Sequence, residues 1–163
     1  MQTTDIIIRL TGGAGNSDPN ASLGGVTSNT AAAENLHSLF DYVNPTEAET
    51  GESEYRAIDI KNAHATETYY GAIVYISTQT TSANTSIAIA YDATGTQTIA
   101  TENDAPSAPA LSFTAPADRV NGILVGDIAA AGTKRIWVKR IVDTGALKLA
   151  GDACQLTIEG GGV

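Results

Sequence analysis

Residues 51–76, GESEYRAIDIKNAHATETYYGAIVYI, constrain the fold of this chain more than any other stretch. In an extended backbone Ile58 and Ile60 fall on one side and Ala57, Asp59 and Lys61 on the other, the period-two alternation of a half-buried strand. Residues 70–76 follow with the aromatic and β-branched side chains that suit a pleated surface. Between the two runs, residues 62–66 (Asn-Ala-His-Ala-Thr) supply turn formers and no helical period. The pattern predicts an antiparallel hairpin at the heart of a β-sandwich.

Further strand patterns support that class. Residues 5–10 (DIIIRL) form a short apolar run, and residues 85–91 alternate with Ile87, Ile89 and Tyr91 on one side. Brief strands are expected at 98–101 and 110–114, separated by a loop around Pro106 and Pro109, and an edge strand at 122–125. A small-residue turn at 129–132 leads into residues 134–142 (KRIWVKRIV), the strongest strand pattern in the chain. There Ile136, Val138, Arg140 and Val142 share one side, and Arg135, Trp137, Lys139 and Ile141 the other. Residues 155–159 close the series, with Leu156 and Ile158 inward. One helix is expected at 31–43, where Leu36, Leu39, Phe40 and Val43 fall at helical spacing, ending before Pro45. The expected fold is therefore all-β: a single antiparallel β-sandwich, immunoglobulin-like or jelly-roll, with one short helix and an extended N-terminal arm. Residues 1–25 would be that glycine-rich arm, 26–159 the sandwich domain, and 160–163 a flexible tail.

Composition limits the partners. A chain of 163 residues suits one domain with a core of its own. Nine Lys and Arg against 18 Asp and Glu leave a net charge of −9, a field that repels nucleic acid and anionic membranes. The chain starts Met1-Gln2-Thr3-Thr4-Asp5, without a basic, apolar leader, and no run approaches the roughly 20 apolar residues of a membrane span. A soluble, cytoplasmically made protein is the expectation.

The residue patterns offer little to chemistry. Gly12-Gly13-Ala14-Gly15 follows a strand, but no Gly-Lys-Ser/Thr ending completes a phosphate loop. His37 and His64 stand far apart in sequence, no Gly-x-Ser-x-Gly elbow is present, and Cys154 beside Leu156 and Ile158 reads as an inert packed thiol. Glu47, Glu49, Glu52 and Glu54 lack the spacing of a calcium loop and read as a solvated acidic stretch. No catalytic, cofactor-binding or metal-binding residue is therefore assigned. Candidate partner-contact residues are Ile6, Ile7, Ile8 and Leu10, an apolar strand able to add to a neighbour's sheet, and Trp137, flanked by Arg135 and Lys139.

One ordered set of segments carries a resemblance. Leu23-Gly24-Gly25, Leu39-Phe40-Asp41-Tyr42-Val43, Gly51-Glu52-Ser53-Glu54-Tyr55-Arg56 running into Ile60-Lys61-Asn62-Ala63-His64-Ala65-Thr66, and Ile136-Trp137-Val138-Lys139-Arg140 resemble a family of small virion structural proteins of tailed bacteriophages. The resemblance runs from about Leu23 to Glu159, and its most specific part lies between Glu54 and Thr66. It implies a non-enzymatic capsid decoration (cement) protein on the outer surface of the phage head, contacting the major capsid protein lattice and copies of itself, with a trimer as the guess. It implies no catalytic residue. The alternatives are a tail, neck or baseplate component, or a receptor- or carbohydrate-binding module that would use Tyr69, Tyr70 and Tyr75.

Overall fold

The computed structural model describes residues 2–35 and 37–161. They form strands β1 (Ile6–Thr11), β2 (Thr27–Ala31), β3 (Glu52–Asn62), β4 (Tyr69–Thr78), β5 (Thr85–Asp92), β6 (Ile123–Ile128), β7 (Thr133–Val142) and β8 (Gln155–Gly161), with one helix, α1 (Pro45–Thr50). Two antiparallel sheets pack as a sandwich, one of five strands in the order β2-β1-β3-β7-β5 and one of three in the order β6-β4-β8. β1 and β2 are antiparallel neighbours in one sheet, but from β3 to β8 every connection crosses between sheets, so among the described residues the same-sheet hairpins of an immunoglobulin arrangement are missing there.

The predicted hairpin is thus an arch. β3 and β4 are strands as expected, but they lie in different sheets. The corner between them is built by Asn62, whose buried amide donates to the carbonyls of Glu67, Ile128 and Ala129 and accepts from the His64 N–H. His64 Nδ1 in turn accepts the amides of Thr66 and Glu67. A side chain that ties the chain to the end of β6 turns it out of the first sheet, which a tight hairpin turn would not do.

β3 is the axis of the molecule. It pairs with β7 from Glu52↔Val142 to Lys61↔Thr133, and with β1 from Leu10↔Ile58 to Ile6↔Asn62. Where β1 stops, loops continue the edge: Ala57 N–H donates to Ser22 O and Tyr55 N–H to Glu102 O. Its two faces meet separate cores. Ile58 and Ile60 join Val74, Ile76, Ile89, Ile136 and others between the sheets. On the far face Tyr55, Ala57 and Trp137 form a second core, covered by Ile99, Leu111 and Phe113 from residues 93–122. The strands expected at 98–101 and 110–114 reduce to isolated bridges at Thr98, Ala110 and Thr114. Pro106, Pro109 and Pro116 withhold the amides that a continuous ladder needs there.

The N-terminal arm is corrected in the same way. β1 sits between β2 and β3 as an integral strand, because its apolar residues cover the sandwich interior while its backbone completes the edge of β3. The glycine-rich segment behind it is pinned. Thr11 N–H donates to Ser22 Oγ, Gly24 N–H donates to Thr11 Oγ1, and both hydroxyls reach Ala57 O. Gly24 has φ 92°, and any Cβ there would collide with Gln97 O, so this glycine serves close packing. Of the expected tail, Gly160 and Gly161 belong to β8; Gly162 and Val163 lie outside the described residues, as does Met1.

The helix also moves. Beyond the end of β2 at Ala31, residues 32–35 and 37–43 are irregular, Leu36 lies outside the described residues, and the helix begins where it was expected to have ended. Asn44 caps it, accepting the amides of Thr46 and Glu47, while Glu47 accepts the Asn44 N–H, and Pro45 occupies the first turn. A capping box with an N1 proline outweighed the apolar spacing upstream, whose Leu39 and Phe40 still reach the core.

Candidate interaction surface

The five-stranded sheet is wider than the three-stranded one laid over it, and the difference leaves a cleft. A cavity of about 1500 Å³ opens between the layers on the β8 side, with β1, β3 and β7 as one wall and Val74, Leu156 and Ile158 as the other. β6 contributes nothing to it. Two loops, one with residues 32–35 and 37–44 and one with residues 146–154, flank the mouth.

Both loops are anchored so that apolar tips project. Asp152 accepts hydrogen bonds from the Thr81 and Ser82 amides and from the hydroxyls of Thr81 and Thr85. Burial alone would raise the Asp152 pKa, but these hydrogen bonds outweigh it and hold the carboxyl below its ordinary value. At the other end Gly145 and Ala146 N–H both donate to Ala48 O. Between the anchors Leu147 and Leu149 are 80% and 50% exposed, and across the mouth Tyr42 is 69% exposed. Three large apolar side chains held outward beside an apolar cleft form the strongest candidate contact surface among the described residues.

An ionic cluster shapes the same end. Arg140 binds Glu54 and donates to Asp41 O at 2.5 Å, with Glu47 Oε2 at 3.9 Å. Arg56 pairs with Glu102, and the Phe40 ring lies 5.1 Å from the Arg140 guanidinium and 5.4 Å from that of Arg56. Glu54 is therefore buried and paired where a solvated acidic stretch was expected. Its burial raises its pKa, with Arg140 acting against that. A second buried pair, Arg135 with Asp59, lies on the opposite face of the sheet.

The candidate contact residues divide. Ile6, Ile7 and Ile8 line the cleft, within this chain's own sheet. Leu10 is buried. Trp137 is 0% exposed in the second core, packed with Tyr55 and Ala57, and so cannot touch a partner; its indole Nε1 has no hydrogen-bond partner. Its neighbours explain the burial: Arg135 is taken up by Asp59, and the Lys139 ammonium lies 5.6 Å from the Tyr55 ring centroid. Of the three tyrosines on β4, Tyr70 is exposed, Tyr69 packs against the core, and Tyr75 donates to Glu159. Cys154 packs against the core, and burial raises its thiol pKa, with the nearby Asp152 charge adding to the rise. Among the described residues no group of three or more His, Cys, Asp and Glu side chains converges as a metal site, and no helix is long and apolar enough to cross a membrane.

Sequence reading missed Tyr42, Leu147 and Leu149. Runs such as Leu147-Lys148-Leu149 have strand-like alternation, and only the anchors at Asp152 and Ala48 mark them as a presented loop. No protein-family model, no curated protein and no solved structure matches this chain.

Proposed function

We propose that this protein is a non-enzymatic virion structural component, a capsid decoration protein that binds the outer surface of a tailed-phage head and stabilises the assembled shell. The observation that carries the reading is where the residues of the resemblance sit. Glu54, Arg56 and Arg140 form the buried ionic cluster, Asn62 and His64 form the corner, and Trp137 fills the second core. The residues that carry the resemblance thus build the two-layer body, and the exposed apolar tips at Tyr42, Leu147 and Leu149 supply adhesive surface. Stabilisation would come from linkage: a body that binds the assembled lattice and not its free subunits lowers the free energy of the shell as occupancy rises. Symmetric repetition multiplies a modest contact.

The test is addition of purified protein to shells prepared without it. Saturable binding that raises the shell's disruption temperature supports the proposal. Absence of binding, with the protein found instead on purified tails, transfers the role to a tail, neck or baseplate component.

A further inference from the structure

Four strand edges bound the two sheets, and three of them are blunted. At β5 the Gln79 side chain acts as a surrogate peptide, its amide donating to Ile87 O and accepting Ile87 N–H, while Thr114 exchanges both backbone hydrogen bonds with Ile89. At β2 the loop ahead of it engages the edge, Asn29 N–H donating to Ala14 O, and Arg9 covers the Ser28 and Asn29 carbonyls. β6 is bulged beside Gly126, φ 83°. Such devices keep edges from pairing with other chains.

β8 has none of them. Its register with β4 shifts twice, each time with the extra residue on β4, so β8 itself runs regularly from Gln155 to Glu159. It is the last strand of its sheet, and among the described residues its outward N–H and C=O groups from 156 to 161 have no partner. Leu156 and Ile158 on this strand line the cleft, whose opposite wall includes Ile6 and Ile8. The five-against-three mismatch thus leaves room for one more strand beside β8, over apolar surface already in place.

We infer that this edge and cleft accept an extended segment of another protein, hydrogen-bonded to β8 with apolar residues at every second position and lysine or arginine at its flanks. Backbone pairing gives the affinity and alternate pockets the selectivity. The basic flanks follow from charge: the chain carries −9, and the cleft is bordered by Glu34, Asp41 and Asp152 against Lys148, with the single charge of Arg140 shared among Glu54, Asp41 and Glu47. A second copy pairing β8 to β8 fits less well, because the wider sheets of the two copies would occupy the same space. The inference makes this chain the acceptor of a strand, where the sequence suggested a donor, and it holds wherever in a particle the protein sits.

The probe is the peptide Lys-Lys-Val-Thr-Val-Thr-Val-Lys-Lys, added to the full chain while amide hydrogen exchange is followed by NMR. Outward amides of residues 156–161 should exchange about tenfold more slowly at saturating peptide, the rest of the sandwich being unchanged. A version with proline at the central valine should give no protection, and a version with glutamate for lysine should bind about tenfold more weakly. Leu149→Lys, at an exposed position, should weaken peptide binding about threefold without unfolding the chain. No protection of β8 at millimolar peptide overturns the inference. So does a peptide-free dimer that already protects β8, or protection of the cleft by oleate and not by peptide.

Discussion

Replacing Asp59 with asparagine tests how the charged residues hold the second core. Asp59 and Arg135 face each other across β3 and β7, each 2% exposed at the side chain, with Nε–Oδ1 at 2.9 Å and Nη2–Oδ2 at 2.8 Å. The Thr27 hydroxyl donates to the same carboxylate. Solvent screening is negligible at that burial, so the usual discount for surface pairs does not apply. Asparagine keeps the shape but presents an amide in place of a carboxylate. Arg135 then retains carbonyl partners at Gly25 O, 2.6 Å, and Gln97 O, 3.5 Å, and no anion. Breaking one side of a buried pair costs about 3–5 kcal/mol, and for a domain of this size each kcal/mol lowers Tm by about 2–4 °C. Asp59→Asn should therefore melt roughly 6–20 °C below the parent chain by calorimetry or circular dichroism. The double variant Asp59→Leu with Arg135→Met should recover much of that loss, because it removes both charges together. A single variant within about 1 kcal/mol of the parent would refute the reasoning, since an uncompensated buried guanidinium would then be tolerated.

Other perturbations read other parts of the structure. Gly24→Ala places a Cβ against Gln97 O at φ 92°, so it should destabilise the chain by more than about 2 kcal/mol in urea unfolding, while Gly15→Ala, with open space around it, should stay within about 0.5 kcal/mol. Burial works to raise the pKa values of Asp92 and Asp152, but hydrogen bonds from Thr94 and Gln97 and from Thr85 and Ser82 dominate, and the folded values lie below the ordinary 3.8. Their stabilisation is therefore present above the unfolded pKa and lost as pH falls through the folded values, and Asp152→Asn should flatten the acid limb of a stability-against-pH curve. The raised thiol pKa of Cys154 predicts slow native-state alkylation at neutral pH that accelerates on unfolding; prompt modification of the folded chain would contradict its packing.

Much of the fold was legible because a strand's side chains alternate whatever lies beside it. β3, β5, β7 and β8 stand where period-two runs place them, and β1 and β4 where a short apolar run and an aromatic, β-branched run do. Pairing was less legible, since alternation says which residues face inward and nothing about which strand lies alongside. The arch after β3 depends on Asn62 reaching carbonyls at Ile128 and Ala129, a contact between residues far apart in sequence. The helix was misplaced because residues 31–43 have helical spacing without a cap, whereas Asn44, Pro45 and Glu47 supply one. The burial of Arg135 and Arg140 had no local signal, because their partners, Asp59 and Glu54, lie on another strand. The cleft arises from a mismatch in sheet width, which no local pattern encodes. Its Ile6 and Ile8 wall was anticipated as apolar contact surface, though for a free arm and not for the lining of a groove.

The proposed function makes this chain a repeated, adhesive part of an assembled head. Quantitative mass spectrometry of purified particles that encode it measures that directly. A decoration protein should be present in hundreds of copies per particle, in fixed ratio to the major shell protein and on tail-less heads. A handful of copies confined to tails, or none in the particle at all, would contradict it.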